Sequence, residues 1–433
     1  MVLGEAHGAA NVTAAVDPSR AVLRNRNFVL YLVSAVISNA GSFMQGLSVP
    51  FVLRDLTDSN TWVGIGAFAW MVPSLLMGPA AGIVSDRFDR RLVLLWSSVV
   101  QLVGALGLFA LALADELTPA RIIVLVVICG LGAGFQYAAS QAMAAVLLPA
   151  DQMLQGVRLN SMGFTIARAL GPAVAGLVLG AWGASAAFGI NALSFVVLIV
   201  ALFFIRTTQT VKSSGNEDWI RNFRDGIRYV RQRPALRLAV ITAFVGAFFG
   251  QSMVQLAAGL AEEDFDIGGG GLGLLVAVYG VGSTVASFAL VRGGDSLRRS
   301  LMARIGLALF GVGLTVTIAS TWFGLGLLGF LIAGTAHGFT NISLNTAVQA
   351  QVHENYRGRA LSVFLMALLA GMPFGALAGG ALGDVIGLRA TLAIFAATVL
   401  GYLAFVTIRR QRMTPLDGDE PIEVDAGWPA AAR

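Results

Sequence analysis

Residues 82–91 read GIVSDRFDRR, from Gly82 to Arg91, and set five charges in ten positions where one apolar run (62–84) gives way to the next (92–114). Either run can cross a bilayer, because a hydrocarbon core of about 30 Å takes roughly 20 residues at a rise of about 1.5 Å each. The charges then sit on a short turn in water, and the two runs form a helical hairpin through the membrane. How often that pattern repeats decides the fold.

Twelve runs qualify, near 28–51, 62–84, 92–114, 121–148, 160–181, 185–205, 236–260, 271–291, 301–319, 322–349, 360–382 and 388–408, and are called here spans one to twelve. Composition asks for the same solvent: 56% of the 433 residues are hydrophobic and 12% charged, whereas soluble domains carry about a quarter charged residues. The expected fold is all-α and integral to the membrane, in two pseudo-symmetric halves of six helices. A polar tail (1–27) leads into the first half (28–205), a linker (206–235), the second half (236–408) and a second tail (409–433). The first 27 residues lack the apolar core of a secretory signal. Asn11-Val12-Thr13 matches a glycosylation sequon, a pattern short enough to arise by chance.

Charge gives the orientation. With both termini inside, 25 of the 29 Lys and Arg residues are internal, Arg54, Arg121 and Arg389 are external, and Arg168 lies within span five. The positive-inside rule selects that arrangement, so the net charge of +5 marks topology rather than a nucleic-acid partner. Glu262, Glu263, Asp264 and Asp266 then fall outside, in a loop without Lys or Arg. In the linker, Trp219, Phe223, Ile227 and Val230 recur at helical spacing among Arg221, Arg224, Arg228 and Arg231. A surface helix resting on membrane lipid is expected, with a solvated linker helix as the alternative.

Gly82, Asp86, Arg87, Arg90 and Arg91 fit the pattern G-x-x-x-D-R-x-x-R-R, which resembles the loop motif of the major facilitator superfamily. The resemblance implies a latch that joins the cytoplasmic ends of the halves in the outward-facing state, with the Asp near the start of span eleven. Span five reads MGFTIARALGPAVAG, with Gly163, Arg168, Gly171, Pro172 and Gly176, and is similar to the superfamily's antiporter motif. Glycines there permit close helix approach, and the proline removes one backbone bond. LTDSNTWVG (56–64), LNSMGFTIARALGPAVAG (159–176) and DGIRYVRQRPALR (225–237) resemble the enterobactin-exporter and macrolide-efflux branch, the drug:proton antiporter-3 group of transmembrane secretion effectors. Implied are export of small amphiphilic molecules by alternating access, proton-coupled antiport, and residence in a bacterial inner membrane. A uniporter, a lipid or metabolite translocator and a non-transporting receptor remain alternatives.

In that fold spans one, four, seven and ten surround the cavity. The candidate lining is Ser38, Ser42 and Gln45; Gln136, Tyr137, Ser140 and Gln141; Gln251 and Gln255; and His337, Asn341 and Asn345, which share one face at i, i+4 and i+8. No Asp or Glu lies in mid-span, and no Arg occurs in VVICGLGAG (126–134), where many proton-coupled relatives carry one. His337 is the mid-span side chain whose ordinary pKa, about 6.5, allows proton exchange near neutrality. Arg168, embedded with no carboxylate nearby in sequence, is open to a structural role or to an anionic substrate. Without a membrane carboxylate, anionic or neutral amphiphiles fit better than cations.

An enzyme would need a reactive cluster, yet His7, His337 and His353 are far apart and Cys129 is the single cysteine. No cofactor or metal site is expected. The Gly-rich stretch 268–273 leads into a span rather than following a strand, so it does not read as a nucleotide loop.

Overall fold

The computed structural model describes residues 22–206, 219–265, 267–293, 297–408 and 413–418, and the regular elements among them are helical. Eleven of the helices are long and apolar enough to cross a membrane. One of these, Met153–Phe204, has 52 residues, about 78 Å at 1.5 Å per residue and more than twice a hydrocarbon core. It reverses at Gly183, whose φ of 76° and ψ of −173° suit glycine alone. Spans five (153–182) and six (184–204) are therefore separate crossings, which restores twelve.

The others are Arg26–Thr57, Asn60–Arg87, Arg90–Leu113 and Pro119–Leu147 for spans one to four. Spans seven to twelve are Pro234–Glu263, Gly269–Gly293, Arg299–Ala319, Phe323–Gln351, Arg357–Ile386 and Leu388–Ile408. Most run several residues past their apolar stretches. Span five starts at Met153, not 160, because Gln155, Arg158 and Asn160 continue the helix beyond the hydrocarbon. The bundle has a linker end, where span six leaves and span seven enters, and a far end opposite.

Within the first half, span one packs on the five–six hairpin, two on four, and three on four and six; in the second, eight and nine pack on ten, nine on twelve and seven on eleven. The halves meet where span two crosses eleven and five crosses eight. Glycines permit both crossings. A Cβ on Gly64 would lie 2.6 Å from the Ala376 carbonyl, and one on Gly176 only 2.5 Å from the Gly273 Cα.

Span seven is not one regular helix. It passes from α-helix into a π turn at Gly246–Gly250 and a 3-10 turn at Gln251–Val254. There Gly371 and Gly375 of span eleven bring their backbone onto Phe244, Ala247 and Phe248.

The linker helix, Trp219–Gln232, docks on protein along one side. Tyr229 is buried, stacks on Tyr356 at 4.6 Å and accepts the His353 N–H at 3.1 Å, while Asp225 faces Arg359 at 3.9 Å. Gly226 lies against the Arg359 backbone at the start of span eleven. Ile227 of the expected apolar face is exposed, but Val230 is buried in this contact. The second tail also docks in part. Met413 and Leu416 are buried, Asp417 accepts the Ser300 N–H at 2.8 Å, and Gln351 donates to the Pro415 carbonyl at 2.7 Å. The sequon and residues 207–218 lie outside the described residues.

Candidate functional site

The hydrogen bonds and ion pairs identified between the halves cluster at the far end. Arg54, buried near the end of span one, meets Asp58 at 2.5 Å, Glu262 at 3.1 Å and Glu263 at 3.0 Å. Asn60 donates to Glu263 at 2.7 Å. Glu262 and Glu263, expected in a loop without Lys or Arg, lie at the end of span seven, and the cation that meets them, Arg54, comes from the other half. Beside them the Asp384 carboxylate of span eleven receives the backbone N–H groups of Asn60 and Thr61, at 2.6 and 3.0 Å, and the hydroxyls of Ser59 and Thr61, at 2.5 and 2.6 Å. An anion is thereby set on the exposed N–H groups that begin span two, where the helix dipole favours it.

At the linker end, Arg90 and Arg91 of the 82–91 turn bond to backbone carbonyls of their own half. Arg90 donates to the Ser85 and Ala142 carbonyls at 3.4 and 3.5 Å. Arg91 donates to the Leu202 and Phe203 carbonyls at 2.7 and 3.3 Å, tying down the last turn of span six. Arg87 is exposed, and the Asp86 side chain lies outside the described residues. No described atom lies within 4 Å of where a Cβ on Gly82 would sit.

The glycines of span five divide between two neighbours. Gly163 packs on Leu32 and Val36 of span one and Gly171 on Ala40 and Phe43, beside buried Pro172, while Gly176 meets span eight. Exposed Ile166, Leu170 and Leu177 form the outward stripe. Arg168 is two residues from both Ile166 and Leu170, about 200° around a helix with 3.6 residues per turn, so it points away from that stripe, between spans one and eight. It is exposed and has no ion pair among the described residues.

The polar groups proposed as lining separate into two sets. Gln45 accepts from Asn191 of span six at 2.6 Å, Gln136 bonds to Gln101 of span three, and Ser38 is fully buried, so these three serve the interior of the first half. Ser42 is part-buried and donates to the Ser38 carbonyl at 3.0 Å. Tyr137 and Gln141 are exposed and bonded to each other at 3.3 Å. Asn160 of span five donates to Gln141 at 3.3 Å and lies 3.4 Å from the Tyr31 hydroxyl, which itself donates to the Ser140 carbonyl. Phe164 meets Tyr137 and Phe43 edge-on, at 6.1 and 5.4 Å. Across the bundle Gln251 and Gln255 are buried in the irregular part of span seven, Asn341 is half-buried, and half-buried Asn345 accepts from Gln349. His337 is buried with its ring 6.0 Å from that of Tyr279 on span eight. Phe43, Asn160, Phe164 and Tyr279 are the neighbours that sequence reasoning did not reach; the nearest signal was the aromatic and amide content of span five.

The family described as transmembrane secretion effector matches residues 18–430. Among curated relatives, an uncharacterised major-facilitator-type transporter of Bacillus subtilis is 24% identical over 84% of this chain and 88% of its own. Macrolide efflux protein A of Streptococcus pyogenes is 21% identical over 79% and 86%, and the multidrug efflux pump Tap of Mycolicibacterium fortuitum 24% over 90% and 97%. Among solved structures, a bacterial homologue of the human lysosomal transporter Spinster, inward-facing and unoccupied, superposes with a TM-score of 0.74 at 14% identity, covering 91% of this chain and 98% of that one.

Proposed function

The chain belongs to the transmembrane secretion effectors of the major facilitator superfamily, and from that premise we propose that it exports small amphiphilic molecules by alternating access. The observation that carries this reading is one-sided closure. Polar bonds join the halves at the far end, whereas Tyr137, Gln141 and Arg168 stay exposed on the inner faces. Alternating access needs a path open to one side at a time around a site between two repeats.

We place the linker end and both termini in the cytoplasm of a cell with a bacterial inner membrane, because the sequence topology assigns 25 of the 29 cations to that side. The path then opens to the compartment from which an exporter loads. Asp384 holds the outer end shut in this state. In the opposite state Asp86, at the other end of span two, takes the equivalent place at the start of span eleven. The resulting cavity is bounded by Ser42, Tyr137, Ser140, Gln141, Asn341 and Asn345, with Phe43 and Phe164 as an apolar wall. Its one mid-span formal charge is positive, which suits anionic or neutral amphiphiles. Counter-movement of protons drives export, carried by His337 or by carboxylates at the span ends. The names of the efflux relatives support the direction.

The test is flux in proteoliposomes, using erythromycin, a catecholate siderophore and a dansyl-labelled fatty acid, with and without an imposed pH gradient. Gradient-accelerated movement of at least one compound is expected. Flux that ignores the gradient removes proton coupling, and no flux of any of them above empty liposomes refutes export of this substrate class.

A further inference from the structure

Resting on that export reading, we propose that Arg168, Tyr279 and His337 form an anion subsite at the middle of the bundle, which receives the carboxylate or a similar compact oxyanion of the substrate.

Depth is the first argument. Arg168 is 15 residues from the linker-end start of its helix at Met153, and His337 is 14 from the far-end start of its own at Phe323. At about 1.5 Å per residue these are about 22 and 21 Å from opposite ends. Tyr279, ten residues into span eight, comes within 6.0 Å of the His337 ring. Where spans five and eight approach, a Cβ on Gly280 would lie 3.8 Å from the Ala169 Cα, which sets Arg168 beside the span that carries Tyr279.

Unmet bonding capacity is the second. The Tyr279 hydroxyl and His337 Nδ1 are both buried and have no hydrogen-bond partner among the described residues. Leaving a buried polar atom unpaired costs about 1–3 kcal/mol, and a cation in mid-membrane costs several more unless something answers it. Two such deficits beside an exposed cation have one common remedy. An oxyanion can accept from the guanidinium, the phenol and an Nδ1–H imidazole together, whereas a cation or an aliphatic group relieves none of them. The groups also come from different halves, Arg168 from the first and Tyr279 and His337 from the second. An anion held by all three therefore bridges the two bodies that move past each other, so its binding acts on the equilibrium between the two facings.

The experiment measures binding on the full chain in nanodiscs of zwitterionic lipid and transport in proteoliposomes of the same lipid, with 11-(dansylamino)undecanoic acid and its neutral methyl ester as probes. The wild type is expected to bind the acid at least tenfold more tightly than the ester. In Arg168→Gln that ratio falls towards one, in Arg168→Lys it is partly kept, and in Tyr279→Phe, which removes only the unpaired hydroxyl, it falls several-fold. If Arg168→Gln does not fold, the ratios in Arg168→Lys and Tyr279→Phe decide. Equal binding of acid and ester by the wild type, or an undiminished ratio in every folded variant, overturns the site. The acid bound with the expected ratio but never transported supports the site and counts against export. Transport of both probes without preference for the acid supports export and overturns the site.

Discussion

Replacing Asp384 by Asn keeps the shape of the side chain and removes its charge, so it isolates what the anion contributes to closing the outer end. Asp384 accepts four bonds at 2.5–3.0 Å from Ser59, Asn60 and Thr61, two of them from backbone N–H groups that open span two. An amide has one acceptor oxygen and can keep at most two of the four. A charge at a helix N-terminus is worth about 0.3–1 kcal/mol, and hydrogen bonds to charged groups about 1.5–3 kcal/mol each when sheltered. Asp384 is exposed, so water offsets most of that, and a net loss of about 2 kcal/mol follows. Because 1.4 kcal/mol is a factor of ten, the population should shift about 30-fold towards the outward-open state. The assay is cysteine labelling in a Cys129→Ala background, with a reporter at Tyr137 on the cytoplasmic side and another at Gln255 towards the outer gate. Labelling at 255 should rise and at 137 fall. A ratio of the two rates within twofold of the parent, in protein that is folded and inserted, would falsify the latch.

Three further outcomes are expected. Gly82→Leu should leave the melting temperature within about 2 °C, since no described atom lies within 4 Å of the new Cβ. It should nevertheless cut transport about tenfold by blocking closure at the cytoplasmic end, and normal transport would remove Gly82 from the gate. Gly176→Leu drives a side chain onto the Gly273 backbone, at a cost of about 3 kcal/mol for an overpacked contact, which a thermal melt would register. Tyr229→Ala removes a stacked, hydrogen-bonded anchor worth about 3 kcal/mol for a buried aromatic. The linker helix should then be cut by trypsin much faster than in the wild type, while the spans stay protected.

The fold was legible because hydrophobicity and charge act along the chain. Each apolar run has to cross, and Gly183 had only to turn between two of them. The site was less legible because burial of a polar side chain depends on which face of its helix meets which neighbour. Gln45 and Gln136 carry the same amide as Gln141, yet Asn191 and Gln101 occupy them inside the first half while Gln141 stays exposed. No hydropathy window separates those cases. The partner of Glu262 is 208 positions away at Arg54, so the outer ion-pair cluster was invisible even with every member in view. Tyr279 was missed for a simpler reason: a single tyrosine in an apolar span looks like packing until its hydroxyl is found without a partner among the described residues.

Spans two and eleven run antiparallel and cross between the halves, so each ends where the other begins. Span eleven carries Asp384 two residues before its last residue, Ile386, and lays it on the first N–H groups of span two. Span two carries Asp86 one residue before its own last residue, Arg87, at the opposite end of the same pair. A carboxylate near a helix C-terminus is poorly placed with respect to its own dipole, and it gains by reaching the N-terminus of a neighbour. The proposed mechanism uses the two ends of this one crossing in turn, Asp384 in one state and Asp86 in the other. On the alternating-access mechanism proposed for this chain, rocking one half against the other opens one contact as it closes the other, so the two need only be of similar strength for neither facing to dominate. The outer contact has the extra ion pairs of Arg54, which on the proposed mechanism bias the unloaded protein towards the cytoplasm-open state. For an exporter that is the state in which substrate must be found.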